Sequence, residues 1–196
     1  AAGSVMRRYS GDGSYQDFAF VSADLYRSTT GDGAHDTLNR DGATSTWTWV
    51  EGSTRREEQY ANHADATLKG RLTRIRDLKS DGVSKATWNV VYDASNRVSE
   101  VQAVEGAPQE ALIFGYDANG RLSTLSTRIN GVVNEQVTYG YDGSGRLSSV
   151  LVDLTPADAA GDRDVWDTSN FANDDGYRFH AVYTYVDASS LQLSQV

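Results

Sequence analysis

The chain has 196 residues, a formal net charge of −9 (27 acidic against 18 basic side chains), 18 glycines, two prolines and no cysteine. That length holds a substantial core. The acidic balance excludes a phosphate-backbone binder, so no nucleic-acid partner is expected. The missing cysteines exclude disulfides and thiol catalysis. No apolar run approaches the roughly 18 residues a membrane helix needs, so no membrane insertion is expected. The opening Ala1-Ala2-Gly3-Ser4 carries neither an initiator Met nor a signal peptide, as expected of a segment of a longer polypeptide.

In chain order, two aromatic segments come first, Tyr15 to Phe20 and Leu25 to Tyr26, set apart by Gly11-Asp12-Gly13 and Gly31-Asp32-Gly33. Thr46 to Val50 reads as a strand with Trp47 and Trp49 on one face. Glu51-Gly52 is a turn, and Ser53 to Tyr60 follows it. Asn62-His63-Ala64-Asp65 reads as a longer loop where a Tyr-Asp pair is lost, before Gly70-Arg71-Leu72.

Then one phrase is written three times: Tyr92-Asp93-Ala-Ser-Asn96-Arg97-Val98, Tyr116-Asp117-Ala-Asn-Gly120-Arg121-Leu122 and Tyr141-Asp142-Gly-Ser-Gly145-Arg146-Leu147. The spacing is 116 − 92 = 24 and 141 − 116 = 25 residues. A fixed period of this size marks a repeat architecture. Before each Tyr, the residues two and four positions back are large and apolar: Val90 and Trp88, Phe114 and Leu112, Tyr139 and Val137. Period two puts them with the Tyr on one strand face. The opposite face holds Val91, Gly115 and Gly140 beside Asn89, Ile113 and Thr138.

The phrase itself reads as a hairpin turn. Asp bonds forward to backbone amides, Asn96, Gly120 or Gly145 supplies positive φ, and the Arg four positions after the Asp pairs with it. After the turn, Leu72/Ile75, Val98/Val101, Leu122/Leu125 and Leu147/Val150 are three apart. That is the wrong parity for one face of a regular strand. Either both faces are covered or the strand bulges just after the turn. Helix is rejected because the flanking residues are Ser, Thr and Val. Asp81-Gly82, Glu105-Gly106-Ala107-Pro108 and Asn130-Gly131 close the far ends.

Downstream, residues 155–175 read as an acidic insertion, with a short helix starting at Pro156. Trp166-Asp167-Thr-Ser-Asn170 and Tyr185-Val186-Asp187 are degenerate copies of the phrase, and His180 to Tyr185 is a leading strand. The expected fold is all-β: an antiparallel meander of stacked hairpin repeats forming one repeat-built domain. Residues 1–69 are degenerate repeats or a cap, 70–152 are clear repeats, and 153–196 hold the insertion and a decayed repeat.

Tyr-Asp-x-x-Gly-Arg-Leu resembles the YD repeat of the RHS family, across residues 70–152. The resemblance implies a β-sheet strip that spirals into a hollow shell. It also implies bacterial toxin-delivery, wall-associated or adhesin-like proteins, or surface proteins of the teneurin type, and an association with carbohydrate. Shells that release a toxin end in an Asp-Pro-x-Gly signature. Here Pro108 follows Ala and Pro156 follows Thr, so self-cleavage is not carried over.

Chemistry-bearing residues are weighed against plainer roles. His35, His63 and His180 show no metal-ligand spacing, and His63 near Asp65 is a thin acid–base hint. Carboxylates are abundant, yet the Asp residues sit at turns, which leaves a glycoside hydrolase as the weakest reading. No cofactor is expected. Calcium is the alternative, at Asp162, Asp164, Asp174 and Asp175, though no EF-hand loop is present. Trp47 and Trp49 are the candidate ligand-binding residues, as a sugar-stacking platform, against the commoner role of core aromatics.

The reading is therefore a non-enzymatic scaffold segment of a large secreted or surface-displayed bacterial protein, located outside the cell or on its surface. The alternative is a module binding glycan or another cell-surface ligand. Its partners are the rest of the polypeptide, a glycan or receptor, and other copies through open sheet edges.

Overall fold

The computed structural model describes residues 3–29, 35–78, 85–105, 109–156 and 178–195. The expected turns at Gly31-Asp32-Gly33, Asp81-Gly82 and Gly106-Ala107-Pro108 lie outside these residues. So do the helix after Pro156, the Trp166–Asn170 copy, and Asp162, Asp164, Asp174 and Asp175. Among the described residues all regular structure is β-strand, with no helix. The chain is all-β, as its alternation and turn spacing indicate. Among the described residues fourteen strands follow one another in chain order as one antiparallel meander. The chain divides into two compact units, one of residues 1–98 with 103–105, the other of the remainder.

The first unit holds β1 (Val5–Tyr9), β2 (Tyr15–Ser22), β3 (Leu25–Ser28), β4 (Thr37–Arg40), β5 (Trp47–Val50), β6 (Glu57–Tyr60), β7 (Leu72–Leu78) and β8 (Lys85–Tyr92). Gly11-Asp12-Gly13 is the turn between β1 and β2, where Asp12 accepts the Ser14 N–H and Gly13 takes φ 85°. β1 mixes apolar and basic residues, so its sequence carries no clean strand alternation. Cross-strand pairing sets Tyr26 beside Leu38, Leu38 beside Trp49, and Trp49 beside Glu58. Phe18, Tyr26, Leu38 and Trp49 form a buried cluster, with Met6, Phe20, Trp47 and Tyr60 packed on it. Each large side chain so buried contributes about 1.5–3 kcal/mol. Arg8 of β1 reaches Glu58 and Tyr60 of β6, so the strip curls until strands fifty residues apart share side-chain bonds.

The second unit holds β9 (Val98–Ala103), which starts at the boundary, then β10 (Glu110–Tyr116), β11 (Leu122–Ile129), β12 (Val132–Tyr141), β13 (Leu147–Asp153) and β14 (Arg178–Val182). A small separate ladder pairs β15 (Thr184–Tyr185) with β16 (Leu193–Gln195). Asn130-Gly131 is the hairpin between β11 and β12, both residues at positive φ.

The parity problem of the second strands is solved by a bulge just after the turn. Tyr116 pairs with Leu122, but Gly115 pairs with Thr124, leaving Ser123 extra. Tyr141 pairs with Leu147 and Gly140 with Ser149, leaving Ser148 extra. The extra residue returns Leu125 and Val150 to the face of Leu122 and Leu147. That face then carries Leu112, Phe114 and Tyr116, Val137, Tyr139 and Tyr141, and Val150 with Val152. All of these are half-buried.

One expectation is corrected. The Tyr of the upstream phrase is not lost: Tyr60 pairs with Leu72, and Gln59 with Arg74, in the register of Tyr116 with Leu122. The Ala61 N–H donates to the Arg71 carbonyl as Asp117 does to Arg121. The loop between them is longer, so the Tyr sits farther from its Gly-Arg-Leu than the phrase predicts.

Candidate functional site: repeat turns and an aromatic cleft

Each phrase folds the same way. The Asp93, Asp117 and Asp142 N–H groups donate to the carbonyls of Arg97, Arg121 and Arg146 at 2.8, 2.9 and 2.9 Å. Asn96, Gly120 and Gly145 return their N–H to the Asp carbonyl at 2.9 Å, with φ of 61°, 80° and 82°. This left-handed step is why Asn or Gly stands there. Each Asp Oδ1 accepts the N–H of Ser95, Asn119 or Ser144 and that of the Arg, all at 2.9 Å. Each Oδ2 takes the guanidinium, with Nη2 at 2.7 Å. These bonds hold all three carboxyls below the usual carboxylate range. The Arg N–H leads at Asp93 and Asp117, and the Arg146 side chain leads at Asp142.

Two further contacts join one repeat to the next, and neither was read from the sequence. The Tyr92, Tyr141 and Tyr185 hydroxyls each donate at 2.8 Å to the carbonyl of Leu72, Leu122 and Leu147, the first residue after the preceding turn. Over the same rings lie the guanidinium carbons of the preceding Arg71, Arg121 and Arg146, at 5.4, 4.3 and 4.1 Å from the centroid. So Arg121 and Arg146 each hold their own Asp and cover the next Tyr, while Arg71 covers Tyr92. A shared period of Tyr and Arg was the available signal. It becomes legible only once strand pairing sets neighbouring turns side by side.

Tyr185 takes the Tyr position of the phrase. Asp187 caps the Ser189 and Ser190 N–H groups at 2.8 Å, and Arg146 Nη1 bonds the Asp187 and Ser190 carbonyls. Leu193-Ser194-Gln195-Val196 repeats the Leu147-Ser148-Ser149-Val150 that opens β13, a copy sequence reading passed over.

The first unit adds a cleft of about 270 Å³ walled by Met6, Arg8, Leu38, Trp47, Tyr60 and His63, among others. Trp47 is half-buried there and meets Tyr26 edge-on, centroids 5.6 Å apart. Trp49 is 7% exposed, with the Arg8 guanidinium carbon 4.0 Å above its ring. The structure thus separates the two tryptophans: Trp47 reaches the cleft and Trp49 lies in the core. Arg8 bonds Tyr60, Ser10 and Glu58, and the Tyr60 hydroxyl also donates to Glu58. Burial, then the Glu58 carboxylate, pushes the Tyr60 phenol up, so it stays a donor.

The histidines are not brought together as a trio. His63 lines this cleft, His35 packs at Gly52, and His180 lies on β14. Asp65 spends its Oδ1 on the Thr67 and Leu68 N–H groups, a turn-capping role. Among the described residues no group of three or more His, Asp or Glu could hold a metal ion.

No curated protein matches the chain. Residues 116–155, which hold the second and third phrases, match the family profile described as RHS Repeat.

Proposed function

We propose that this chain is a scaffold segment of a larger secreted or surface-displayed bacterial protein, in which the repeat strip presents or encloses another domain. It acts through shape rather than turnover. The observation that carries this reading is the coupling between repeats. Tyr hydroxyl, Leu carbonyl and Arg guanidinium recur with one geometry, so each repeat stabilises its neighbour and the strip can grow by addition. The half-buried face of Leu112, Phe114, Val137 and Tyr139 offers the apolar surface such a partner would cover. A photo-crosslinking residue at Leu112 or Val137, in the whole protein made by its own bacterium, should capture another domain or a carried protein. Intact cells should expose the strip to added protease. No crosslink, or a strip reached only after lysis, would overturn the reading.

A second reading, glycan binding, has one specific observation in its favour. Trp47 stands in the wall of a cleft beside Tyr60 and His63, an arrangement that stacks on a sugar ring. It rests on Trp47 alone. A glycan array should then show a signal that Trp47→Ala removes while circular dichroism stays unchanged. An array silent for the wild-type chain sinks it.

A further inference from the structure

Asn119 and Asn130 are the asparagines of this chain that a glycine follows. Such a pair carries both partners of an intramolecular reaction. The side-chain amide carbon is an electrophile, and the next backbone nitrogen can reach it to close a five-membered ring. A following glycine has no Cβ to hinder the approach. The sequence makes the two pairs equivalent, and the fold separates them.

Asn119 lies inside a repeat turn. The Gly120 N–H donates to the Asp117 carbonyl at 2.9 Å, so the nitrogen that would attack is committed as a donor. Asp117 Oδ1 accepts the Asn119 and Arg121 N–H groups on either side of it, both at 2.9 Å. Freeing the Gly120 nitrogen therefore disturbs the whole turn.

Asn130 lies in the two-residue hairpin between β11 and β12, where Ile129 pairs with Val132. Asn130 and Gly131 are both exposed, and a Cβ at Gly131 would meet nothing within 4 Å. Among the described residues no backbone acceptor meets the Gly131 N–H. The Asn130 side chain, in contrast, is fixed. Its Oδ1 accepts the Gln109 N–H at 3.0 Å, and the Asn130 N–H returns to the Gln109 carbonyl at 2.9 Å. A backbone N–H aimed at that oxygen polarises the amide and stabilises the negative charge the oxygen gains in a tetrahedral intermediate. Asn130 thus has a free nucleophile on one side and a fixed donor on the other.

We propose that Asn130 is a covalent self-modification site, at which the Gly131 nitrogen attacks Asn130 Cγ and the side-chain amide leaves as ammonia. The Gly131 nitrogen gives its proton to water or hydroxide and forms the new N–Cγ bond of a succinimide. The Cγ–Nδ2 bond breaks as Nδ2 takes up a proton. Water then opens the ring at either carbonyl, leaving aspartate or isoaspartate at position 130. The sum is hydrolysis of one amide, with nothing oxidised or reduced. Each event adds one negative charge. The isoaspartate product also adds a methylene to the main chain of a two-residue loop, which disturbs the pairing of Ile129 with Val132. The reaction is a slow, one-way loosening of the far end of this repeat.

The test compares the two pairs in one protein. The full chain is held in mildly alkaline buffer, folded and in urea, and amide-to-acid conversion is followed by peptide mass spectrometry. In urea Asn119 and Asn130 should convert at similar rates. In the folded chain Asn119 should slow at least about ten-fold, because its turn must open first, while Asn130 keeps its unfolded rate or exceeds it. Converted chains should show faster hydrogen exchange at Gln109, Ile129 and Val132 than at Gly120. Folding that slows Asn130 as much as Asn119 overturns the proposal, as does a folded chain that leaves Asn130 unconverted when the urea sample is complete. Gln109→Pro removes the donor and keeps the carbonyl that receives the Asn130 N–H. Conversion at Asn130 should then fall several-fold, with Asn119 as the internal reference. An unchanged rate in a variant with native circular dichroism overturns the part given to Gln109. If that variant does not fold, the comparison of folded and urea-unfolded wild-type chain still decides.

Discussion

In the N-terminal unit Phe18, Tyr26, Leu38 and Trp49 lie buried together, and a chain of edge-on rings from Phe20 through Tyr26 to Trp47 covers them. In the C-terminal unit the large side chains of the repeats are half-buried, and every apolar residue that is buried among the described ones belongs to the other unit. Both units come from the same two-strand, two-turn pattern. The first folds its apolar face on itself and the second leaves that face half-buried, while the bonds along the turn row occur in both, Tyr92 on Leu72 in the first and Tyr141 and Tyr185 on Leu122 and Leu147 in the second. A sheet strip can therefore be stabilised in two ways: by volume filling, or by a periodic set of small local bonds. Filling needs curvature, while the ladder needs only the next repeat.

The largest separation of the two should come from Phe18→Ala. Phe18 is fully buried, and removing such a ring costs about 3–5 kcal/mol. Amide exchange should then speed up across β1 to β6 while the turns at Asp117 and Asp142 keep their protection. Equal loss of protection in both units would show that they do not fold as separate blocks.

Acid should act on the row of repeat turns, which begins in the first unit at Asp93 and continues in the second. The folded carboxyls of Asp93, Asp117 and Asp142 are held below the ordinary value, so their contribution is in full force above about pH 4, the unfolded value, and fades as pH falls through the folded one. Urea midpoints followed by repeat-unit amides should drop between about pH 4 and pH 2. Amides of β1 to β6 should respond too, because Asp12, Asp17, Asp41 and Asp65 are held low there by Ser14, Arg7, Thr44 and the Leu68 N–H. A midpoint in the repeats that does not move with acid would discard the carboxylate caps as contributors.

The β-class, the repeat and its turn chemistry were legible because they are local: Asp, Asn or Gly, and Arg sit within five residues of one another. The bulge was legible as a parity conflict between Leu122 and Leu125 and needed only pairing to confirm it. Tyr60 was not legible, because the longer loop to Gly70 breaks the spacing that identifies a phrase. The N-terminal core was legible as aromatic strands but not as a core, since the Arg8 to Glu58 bond that curls it spans fifty residues. The cleft depends on that curl, so Trp47 and Trp49, equivalent in the sequence, part ways only in the fold.

A smaller effect tests how tightly adjacent strands of the repeats approach. A Cβ on Gly115 would run into the Thr124 hydroxyl, and one on Gly140 into that of Ser149. Gly115→Ala should therefore cost about 1–3 kcal/mol in urea unfolding of the repeat unit, with most of it recovered when Thr124→Gly is added. In the first phrase the equivalent position already carries a side chain, Val91. A neutral Gly115→Ala would mean that Thr124 simply turns away, and that glycine there serves no packing need.

The smallest and most specific test is Tyr141→Phe. It deletes the hydroxyl that bonds the Leu122 carbonyl and keeps the ring under Arg121. Loss of one such bond costs about 0.5–1.5 kcal/mol. Arg121→Gln removes the other half of the joint, the guanidinium over the ring, which contributes about 0.5–1 kcal/mol at a partly exposed site. If the two halves act as one joint, the double variant loses less than the sum of the singles, because each alone already loosens the register between the two turns. The decisive reading is where the loss appears. A joint between repeats should speed exchange in the turns on both sides, at Gly120 and at Gly145, whose Cβ position lies 3.2 Å from Arg121 Nη1. Strict additivity, with exchange altered at one turn only, would make Tyr141 a side chain of its own repeat, and the ladder a row of independent hairpins.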